Sequence, residues 1–142
     1  MTISARNIFK GKVTAIKKGP INAEVEITAA GGDVIVAMLT ETSVRSLGLA
    51  IGKDAAAVIK ASWVTLVAGT PEYRFSARNQ MKGMINGLIR GAAFCEVKVA
   101  LPGGETMCAM VTNEAVEELG LGEGTAVVAM FKAGHVLVGV KE

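Results

Sequence analysis

The sequence contains an internal repeat that extends over nearly its whole length. The tetrad Ser-Ala-Arg-Asn at residues 4–7 returns letter for letter at residues 76–79, an offset of 72 residues (76 − 4). The Gly-Gly pairs at residues 31–32 and 103–104 have the same offset. Roughly a third of the aligned positions are identical, so the chain is a tandem duplication of one small unit.

Each copy combines three types of local pattern. Residues 23–28 and 95–99 alternate apolar and polar side chains, as half-buried strands do. The Gly-Gly pairs that follow are typical of hairpin turns. A threonine, an acidic residue in the first turn and a terminating glycine predict a short helix over residues 40–48 and 112–120. The remaining predicted strands are 8–17, 34–39, 55–60, 64–67, 106–111, 126–132 and 136–140.

This element order, three strands, a short helix and two strands, is that of a small five-stranded barrel of the OB type. We therefore expect an all-β chain with short helices, built as a tandem pair of OB-like barrels. The expected boundaries are residues 1–67 for the first barrel, 68–75 for a linker containing Gly69 and Pro71, and 76–142 for the second barrel. Gly11, inside the first strand, predicts a bulge or bend there.

Composition excludes several classes of protein. A hydrophobic content of 51% is high for two units of this size and favours oligomeric interfaces. A net charge of +2 with 4% aromatic residues argues against nucleic-acid binding. No apolar run reaches the roughly 18 residues of a membrane span, and the polar start is unlike a signal peptide, so we expect a cytoplasmic protein. Cys95 and Cys108 would lie out of register across their hairpin, which argues against a disulfide.

The sequence offers little support for catalysis. Its one histidine, His135, corresponds to Trp63 of the first copy and is expected to be a strand residue rather than a base. No cluster of Cys and His has metal-ligand spacing. The matched carboxylates Glu24 and Glu96 are expected on a solvated strand face. We therefore predict that the chain is not an enzyme and has no cofactor or directly coordinated metal.

The two copies do share an inventory of hydrogen-bond donors. Arg6 and its copy carry a fixed fork of N–H groups, and Lys60 and its copy close the fourth strand. Thr40 opens the helix, where free backbone N–H groups attract an anion. Any one of these residues alone is more readily explained as a cap, a surface residue or a strand end. Their joint recurrence favours a site for a deprotonated oxyanion, which accepts hydrogen bonds and donates none.

The tetrad followed by Lys-Gly, the Thr-x-x-Ser before Val-x-x-Leu-Gly-Leu and the Lys-Ala-Ser before the last strand resemble the Mop domain of the molbindins, which are molybdate-binding proteins. The resemblance covers the whole chain twice. It implies Mop/TOBE-type barrels and a homotrimer of six Mop domains that holds molybdate or tungstate between domains. The tetrad would form one wall of a site and the helix start with the Lys-Ala-Ser turn the facing wall. The implied binding residues are Ser4, Ala5, Arg6, Asn7, Thr40, Ser43, Lys60, Ala61, Ser62, Ser76, Arg78, Asn79, Thr112 and Lys132.

The second copy departs from this pattern at two positions. Ala115 stands where the first copy has Ser43, and Gly134 where it has Ser62, so two hydroxyl donors are absent. The sites are therefore expected to be unequal, and the sequence leaves open which tetrad faces which helix. The favoured function is cytoplasmic storage of molybdate or tungstate, without membrane or nucleic-acid partners. The alternative is a molybdate-responsive regulatory module that binds a protein or nucleic-acid partner.

Overall fold

The computed structural model describes residues 3–142 and has the same order of elements in both copies. The first copy forms β1 (Asn7–Lys18), β2 (Asn22–Ala29), β3 (Val34–Thr40), α1 (Glu41–Ser46), β4 (Asp54–Ile59) and β5 (Thr65–Ala68). The second forms β6 (Asn79–Arg90), β7 (Phe94–Ala100), β8 (Thr106–Thr112), α2 (Asn113–Glu118), β9 (Ala126–Phe131) and β10 (Leu137–Gly139). A 3₁₀ turn, Ala61–Trp63 or Ala133–His135, follows the fourth strand of each copy. The predicted β-rich fold with two short helices is confirmed.

The strands form two antiparallel sheets, ordered β10-β4-β1-β2-β3 and β5-β9-β6-β7-β8. The fifth strand of each copy therefore belongs to the sheet of the other copy, with Thr65 opposite Met130 and Leu137 opposite Val58. This exchange differs from the expectation that residues 1–67 and 76–142 each complete a barrel of their own. Since β4 and β9 are copies of each other, the apolar pattern of a fifth strand fits either edge, and the path of the chain decides between them.

The exchange joins the two copies through a single core. Buried residues from both copies, among them Phe9, Ile27, Val97 and Phe131, form one contiguous apolar cluster. A unit of about 65 residues is near the limit of independent stability, and the shared core removes that difficulty. Residues 69–78 connect the copies without a strand or helix, while Ala68, expected in the linker, is the last residue of β5.

The bulge in the first strand is not at Gly11. The register between β1 and β2 shifts between Val13 and Ala15, and the same shift recurs in the second copy between Ile85 and Gly87. Gly11 instead lies against the backbone of β2, where an added Cβ would collide with the carbonyl of Thr28. The glycine is required for close backbone approach, and the extra residue that bends the strand lies three positions later.

The two hairpin turns also meet. The N–H of Gly103 donates to Oδ1 of Asp33 at 3.2 Å, and a Cβ added at Gly31 would collide with the Gly103 carbonyl. Both cysteines are free thiols; Cys95 is buried and Cys108 is half-buried. Neither of the six-residue helices within residues 3–142 is long enough to cross a membrane.

Candidate functional site

The second tetrad, Ser76–Asn79, contacts the open edge of β3 in the other copy through its asparagine. The Asn79 side chain accepts from the N–H of Val36 and donates to its carbonyl, both at 2.8 Å. Only 3% of Asn79 is exposed. Because β3 is the last strand of its sheet, these two bonds satisfy backbone groups that would otherwise be buried without partners.

The first tetrad, Ser4–Asn7, makes the same contact with β8. Asn7 accepts from the N–H of Cys108 at 2.7 Å and donates to its carbonyl at 2.8 Å, and Cys108 is the repeat equivalent of Val36. The resemblance implied that Asn7 and Asn79 bind the ligand. In the structure their amides bond the backbone of the facing copy, so we assign them to the joint between the copies.

These contacts indicate toward which helix each tetrad is directed. Arg78, next to Asn79, reaches Glu24 on β2, and Glu24 pairs with Met38 on β3. Followed backwards from Asn79 to Arg78, the second tetrad therefore lies first at Val36 and then at the level of Met38. This is the direction of Thr40, where α1 begins. The first tetrad has the equivalent contact at Cys108 on β8, the strand that leads to Thr112 and α2. We therefore propose that each tetrad is directed toward the helix of the other copy.

The Lys-Ala-Ser turn belongs to the tetrad's own wall. Asn7 pairs with Ile59 at the end of β4, so Lys60 and the turn after it continue beside the first tetrad. Asn79 pairs likewise with Phe131, which precedes Lys132. Within one chain Lys60 and Ser62 therefore lie beside the tetrad of their own copy, and the implied arrangement with these residues on the facing wall stays a prediction. Sequence order suggested it because β4 follows α1, whereas strand pairing returns β4 to β1.

Each 3₁₀ turn contacts the edge strand of the other copy. The turn Ala133–His135 contacts β3, and the turn Ala61–Trp63 contacts β8. Ala61 is buried, and Lys60 and Ser62 on either side of it are exposed. The first N–H groups of such a turn have no acceptor within it, so the backbone of Ala61 and Ser62 adds donors beside the tetrad.

The helix starts carry the predicted caps. Thr40 Oγ1 accepts from the N–H of Ser43 at 3.1 Å and donates to Ser43 Oγ at 2.9 Å. In the second copy Thr112 Oγ1 accepts from the N–H of Ala115 at 3.1 Å, and no hydroxyl is present at that position. Ser43 therefore keeps a hydroxyl hydrogen that it can donate outward, whereas α2 offers backbone groups and Thr112.

From the register of these contacts we propose two composite groups of donors. We call the group of Ser76, Arg78, Lys132, Thr40 and Ser43 the Arg78 site. We call the group of Ser4, Ala5, Arg6, Lys60, Ala61, Ser62 and Thr112 the Arg6 site. Because each group combines the tetrad of one copy with the helix start of the other, the two missing hydroxyls are divided between them. Gly134 lies in the Arg78 site and Ala115 in the Arg6 site. Each site therefore lacks one hydroxyl, which differs from the expectation that the second copy's helix alone would make a site weaker.

An open cleft of about 290 Å³ adjoins the Arg78 site. Ser76, Ala77 and Lys132 line it together with the aromatic rings of Trp63, Phe75 and His135. The rings of Trp63 and His135, which occupy equivalent positions, stack with their centroids 4.7 Å apart. Lys60 Nζ lies 5.2 Å from the Trp63 ring centre. His135 thus lies in the 3₁₀ turn rather than in the expected strand, packed between the copies.

The charged neighbours of the two arginines differ. Nε and Nη2 of Arg78 donate to the two carboxylate oxygens of Glu24 at 3.2 and 3.0 Å, and this hydrogen bond holds the pKa of Glu24 below its ordinary value. Arg6 makes no ion pair with any residue from 3 to 142. Sequence reasoning treated Glu24 as a solvated strand residue. Its recurrence as Glu96 was the available signal that it belongs to the joint.

Side chains that could bind a metal are not clustered in the part of the chain that the structure describes. No three His, Cys, Asp or Glu residues there are grouped as ligands. The composite sites contain arginine, lysine, hydroxyl and backbone N–H donors. Such a set suits an anion that accepts hydrogen bonds on all sides.

Comparison with known proteins agrees with the duplicated architecture. The family model of the TOBE domain matches residues 3–66 and again residues 76–138. The chain belongs to the TOBE-domain family. The two matched segments coincide with the two sequence copies rather than with the two sheets, since each sheet takes its outer fifth strand from the other copy.

Relatives of this TOBE-domain chain have names connected with molybdenum. It is 43% identical over 142 residues to the molybdenum transport protein ModE of Herbaspirillum seropedicae, covering 100% of this chain and 53% of that protein. It is 36% identical over 138 residues to the molybdenum-pterin-binding protein MopA of Rhodobacter capsulatus, covering 97% and 52%. The chain thus spans about half the length of these curated relatives.

A solved structure matches the whole chain. The cytoplasmic molybdate-binding protein ModG, in a crystal form with molybdate bound, superposes with a TM-score of 0.93 at 50% sequence identity. The match covers 99% of this chain and 100% of ModG. The resemblance to two-domain molbindins, noted from the sequence motifs, is confirmed.

Proposed function

We propose that this chain binds molybdate or tungstate as intact oxyanions and serves in storage and homeostasis of molybdenum in the cytoplasm. The observation that carries the proposal is the cross-copy placement of the tetrads. The asparagine of each tetrad bonds the edge strand that leads to the capped helix start of the other copy. The arginine and serine of the tetrad precede it, and the lysine follows the strand with which it pairs. A dense set of donors without a catalytic base suits retention of an anion rather than its chemical conversion, so we propose a binding protein and not an enzyme.

The likeness to ModG supports molybdate as the ligand, because that protein was crystallised with molybdate and matches this chain along its full length. In the proposed sites the oxyanion accepts hydrogen bonds from Ser4, Arg6 and Lys60, or from their equivalents Ser76, Arg78 and Lys132. A bound anion contacts both copies at once. Binding therefore stabilises the joint by mass action.

Titration calorimetry with molybdate tests this proposal. Arg6→Ala removes a charge-assisted donor worth about 1.5–3 kcal/mol, so we expect at least about tenfold weaker binding at one class of sites. Arg45→Ala is the control, because Arg45 is an exposed arginine in the last turn of α1 and belongs to neither group of donors. Unchanged binding by Arg6→Ala would remove the tetrad from the site. Sulfate bound as tightly as molybdate would contradict molybdenum storage.

We further propose that the chain assembles as a homotrimer with six Mop domains. Large apolar side chains are exposed in both copies, including Ile21 at 73%, Ile51 at 71% and Leu137 at 62%. Such residues favour an interface. Native mass spectrometry with and without molybdate tests this proposal, and a mass three times that of the chain is expected. A monomer in both conditions would contradict it.

A regulatory module is the second candidate function. The favouring observation is a relative in Escherichia coli, the DNA-binding transcriptional dual regulator ModE, 36% identical over 137 residues and covering 95% of this chain and 51% of that protein. A pull-down from cell extract with and without molybdate discriminates between the two functions. A partner retained only with molybdate supports regulation, and equal retention in both conditions favours storage.

A further inference from the structure

The carboxylate of Glu24 occupies the position of an anion on Arg78. Two parallel N–H groups of the guanidinium donate to its two oxygens, at 3.0 and 3.2 Å. This fork is the geometry with which arginine also binds an oxyanion. An arriving anion must either displace Glu24 from that edge of Arg78 or bind the remaining N–H groups beside a negative charge. Both routes weaken binding relative to an unpaired arginine.

Glu24 has two charged neighbours in the first copy. Glu26 lies on the same half-buried face of β2 as Glu24 and adds a second negative charge near Arg78. Lys17 pairs with Glu24 across β1 and β2 and favours its ionised form. Arg78 therefore faces two carboxylates of the other copy, one of them bound directly.

The equivalent surface in the second copy has a different charge. Glu96 matches Glu24, but the position of Glu26 is occupied by Lys98 and that of Lys17 by Ile89. Lys98 lies on the same face of β7 as Glu96 and repels a guanidinium rather than attracting one. Arg6 has no ion pair within the described residues, and the surface beside it is less negative than the one beside Arg78.

We propose that Glu24 is an internal counter-anion that competes with the oxyanion for Arg78, so that the Arg6 site fills first and the Arg78 site second. The inference rests on the proposed oxyanion-binding function and deepens it by ranking the two sites. It assigns Glu24 a role in affinity without direct contact with the ligand. The ranking follows from the exposed charges and not from the hydroxyl donors, of which each site lacks one.

The test is molybdate titration calorimetry of the full chain as wild type, Glu24→Gln and Glu96→Gln. Glutamine keeps the shape of the side chain and removes its charge. Wild type is expected to show a tighter and a weaker class of sites. In Glu24→Gln the weaker class should tighten by roughly threefold to tenfold, the range expected for a partly exposed fork of this type. Glu96→Gln, the matched control, should titrate like wild type.

Three outcomes would overturn the ranking alone. If Glu24→Gln binds like wild type, Glu24 does not compete with the ligand; if it binds more weakly, Glu24 orients Arg78 for the ligand. An equal gain in Glu96→Gln would show a general charge effect. In each of these cases the wild type binds molybdate, so the proposed function stands while the inference falls. A wild-type chain that binds no molybdate would overturn both. Circular dichroism melting of each variant verifies that it is folded.

Discussion

The two tetrads make the same backbone contacts and have different charged neighbours. Asn7 and Asn79 bond the edge strand of the opposite copy at 2.7–2.8 Å. One residue earlier the symmetry ends, because Arg78 is bound to Glu24 and Arg6 has no ionic partner within residues 3–142. The buried amide contacts match in the two copies, and a backbone group left there without a partner would be costly. The exposed charges can differ because each contributes little to stability.

The largest expected effect concerns the buried asparagine contacts, which both copies make. Asn79→Ala leaves the N–H and carbonyl of Val36 without their side-chain partners at a buried edge, and we expect a loss of roughly 2–4 kcal/mol in the free energy of unfolding. Asn7→Ala should cost somewhat less, because its contact with Cys108 is only partly buried. Urea denaturation at fixed protein concentration measures both losses.

Asn22→Ala is the control for these variants, since Asn22 is also a strand asparagine but is exposed. Its unfolding midpoint should stay close to wild type. If Asn7→Ala and Asn79→Ala were as stable as Asn22→Ala, the tetrads would not form the joint.

A second, smaller effect is expected where the hairpin turns meet. Gly31→Ala places a methyl group on the Gly103 carbonyl and forces the two turns apart, which should cost about 1–3 kcal/mol of unfolding free energy. Gly122→Ala is the control, because a Cβ at Gly122 has no heavy atom within 4 Å. Thermal melting compares the variants, and equal melting temperatures would show that the turns separate freely.

Substitutions at Ser62 and at its equivalent Gly134 test the difference between the two sites in both directions. Gly134→Ser has open space for its side chain and adds a donor to the Arg78 site, so molybdate should bind there about threefold to tenfold more tightly. Ser62→Gly removes the equivalent donor from the Arg6 site and should weaken binding there by a similar factor. Calorimetry measures both changes. If both variants altered the same class of sites, the assignment of each turn to its own tetrad would be wrong.

The smallest effect is a dependence of stability on pH. Arg78 holds the pKa of Glu24 below its ordinary value of 4.5. A carboxyl with a lowered folded-state pKa stabilises the fold above its unfolded pKa, and this contribution disappears as the pH falls through the folded value. We therefore expect Glu24→Gln to lose slightly less stability than wild type between pH 7 and pH 3. Urea midpoints at the two pH values test this, and Glu96→Gln should follow wild type.

Local patterns predicted the elements well. Alternation over residues 23–28, the Gly-Gly turn after it and the cap at Thr40 correspond to β2, the hairpin and α1 within one or two residues. The bulge prediction at Gly11 was wrong, because glycine in a strand signals either a bulge or a close backbone approach, and only the neighbouring strand decides between them. The prediction that each copy completes its own barrel was also wrong.

The candidate site was predictable as a set of residues and not as an arrangement. Recurrence of the tetrad, the lysine and the capped helix in both copies identified the donors. It did not show that Lys60 shares a wall with its own tetrad, that Asn7 and Asn79 hold the copies together, or that Glu24 binds Arg78. Each of these depends on a contact between residues far apart in the chain.

The sequence by itself determined the duplication, the strand and helix pattern, and the supply of oxyanion donors, because these depend on residue type and short-range spacing. The tertiary structure decided which copy completes which sheet and which edge strand each tetrad contacts. The physical reason is the duplication itself. Two equivalent edges and two equivalent helix starts satisfy the same local rules, and only the path of the chain between the copies selects one pairing over the other.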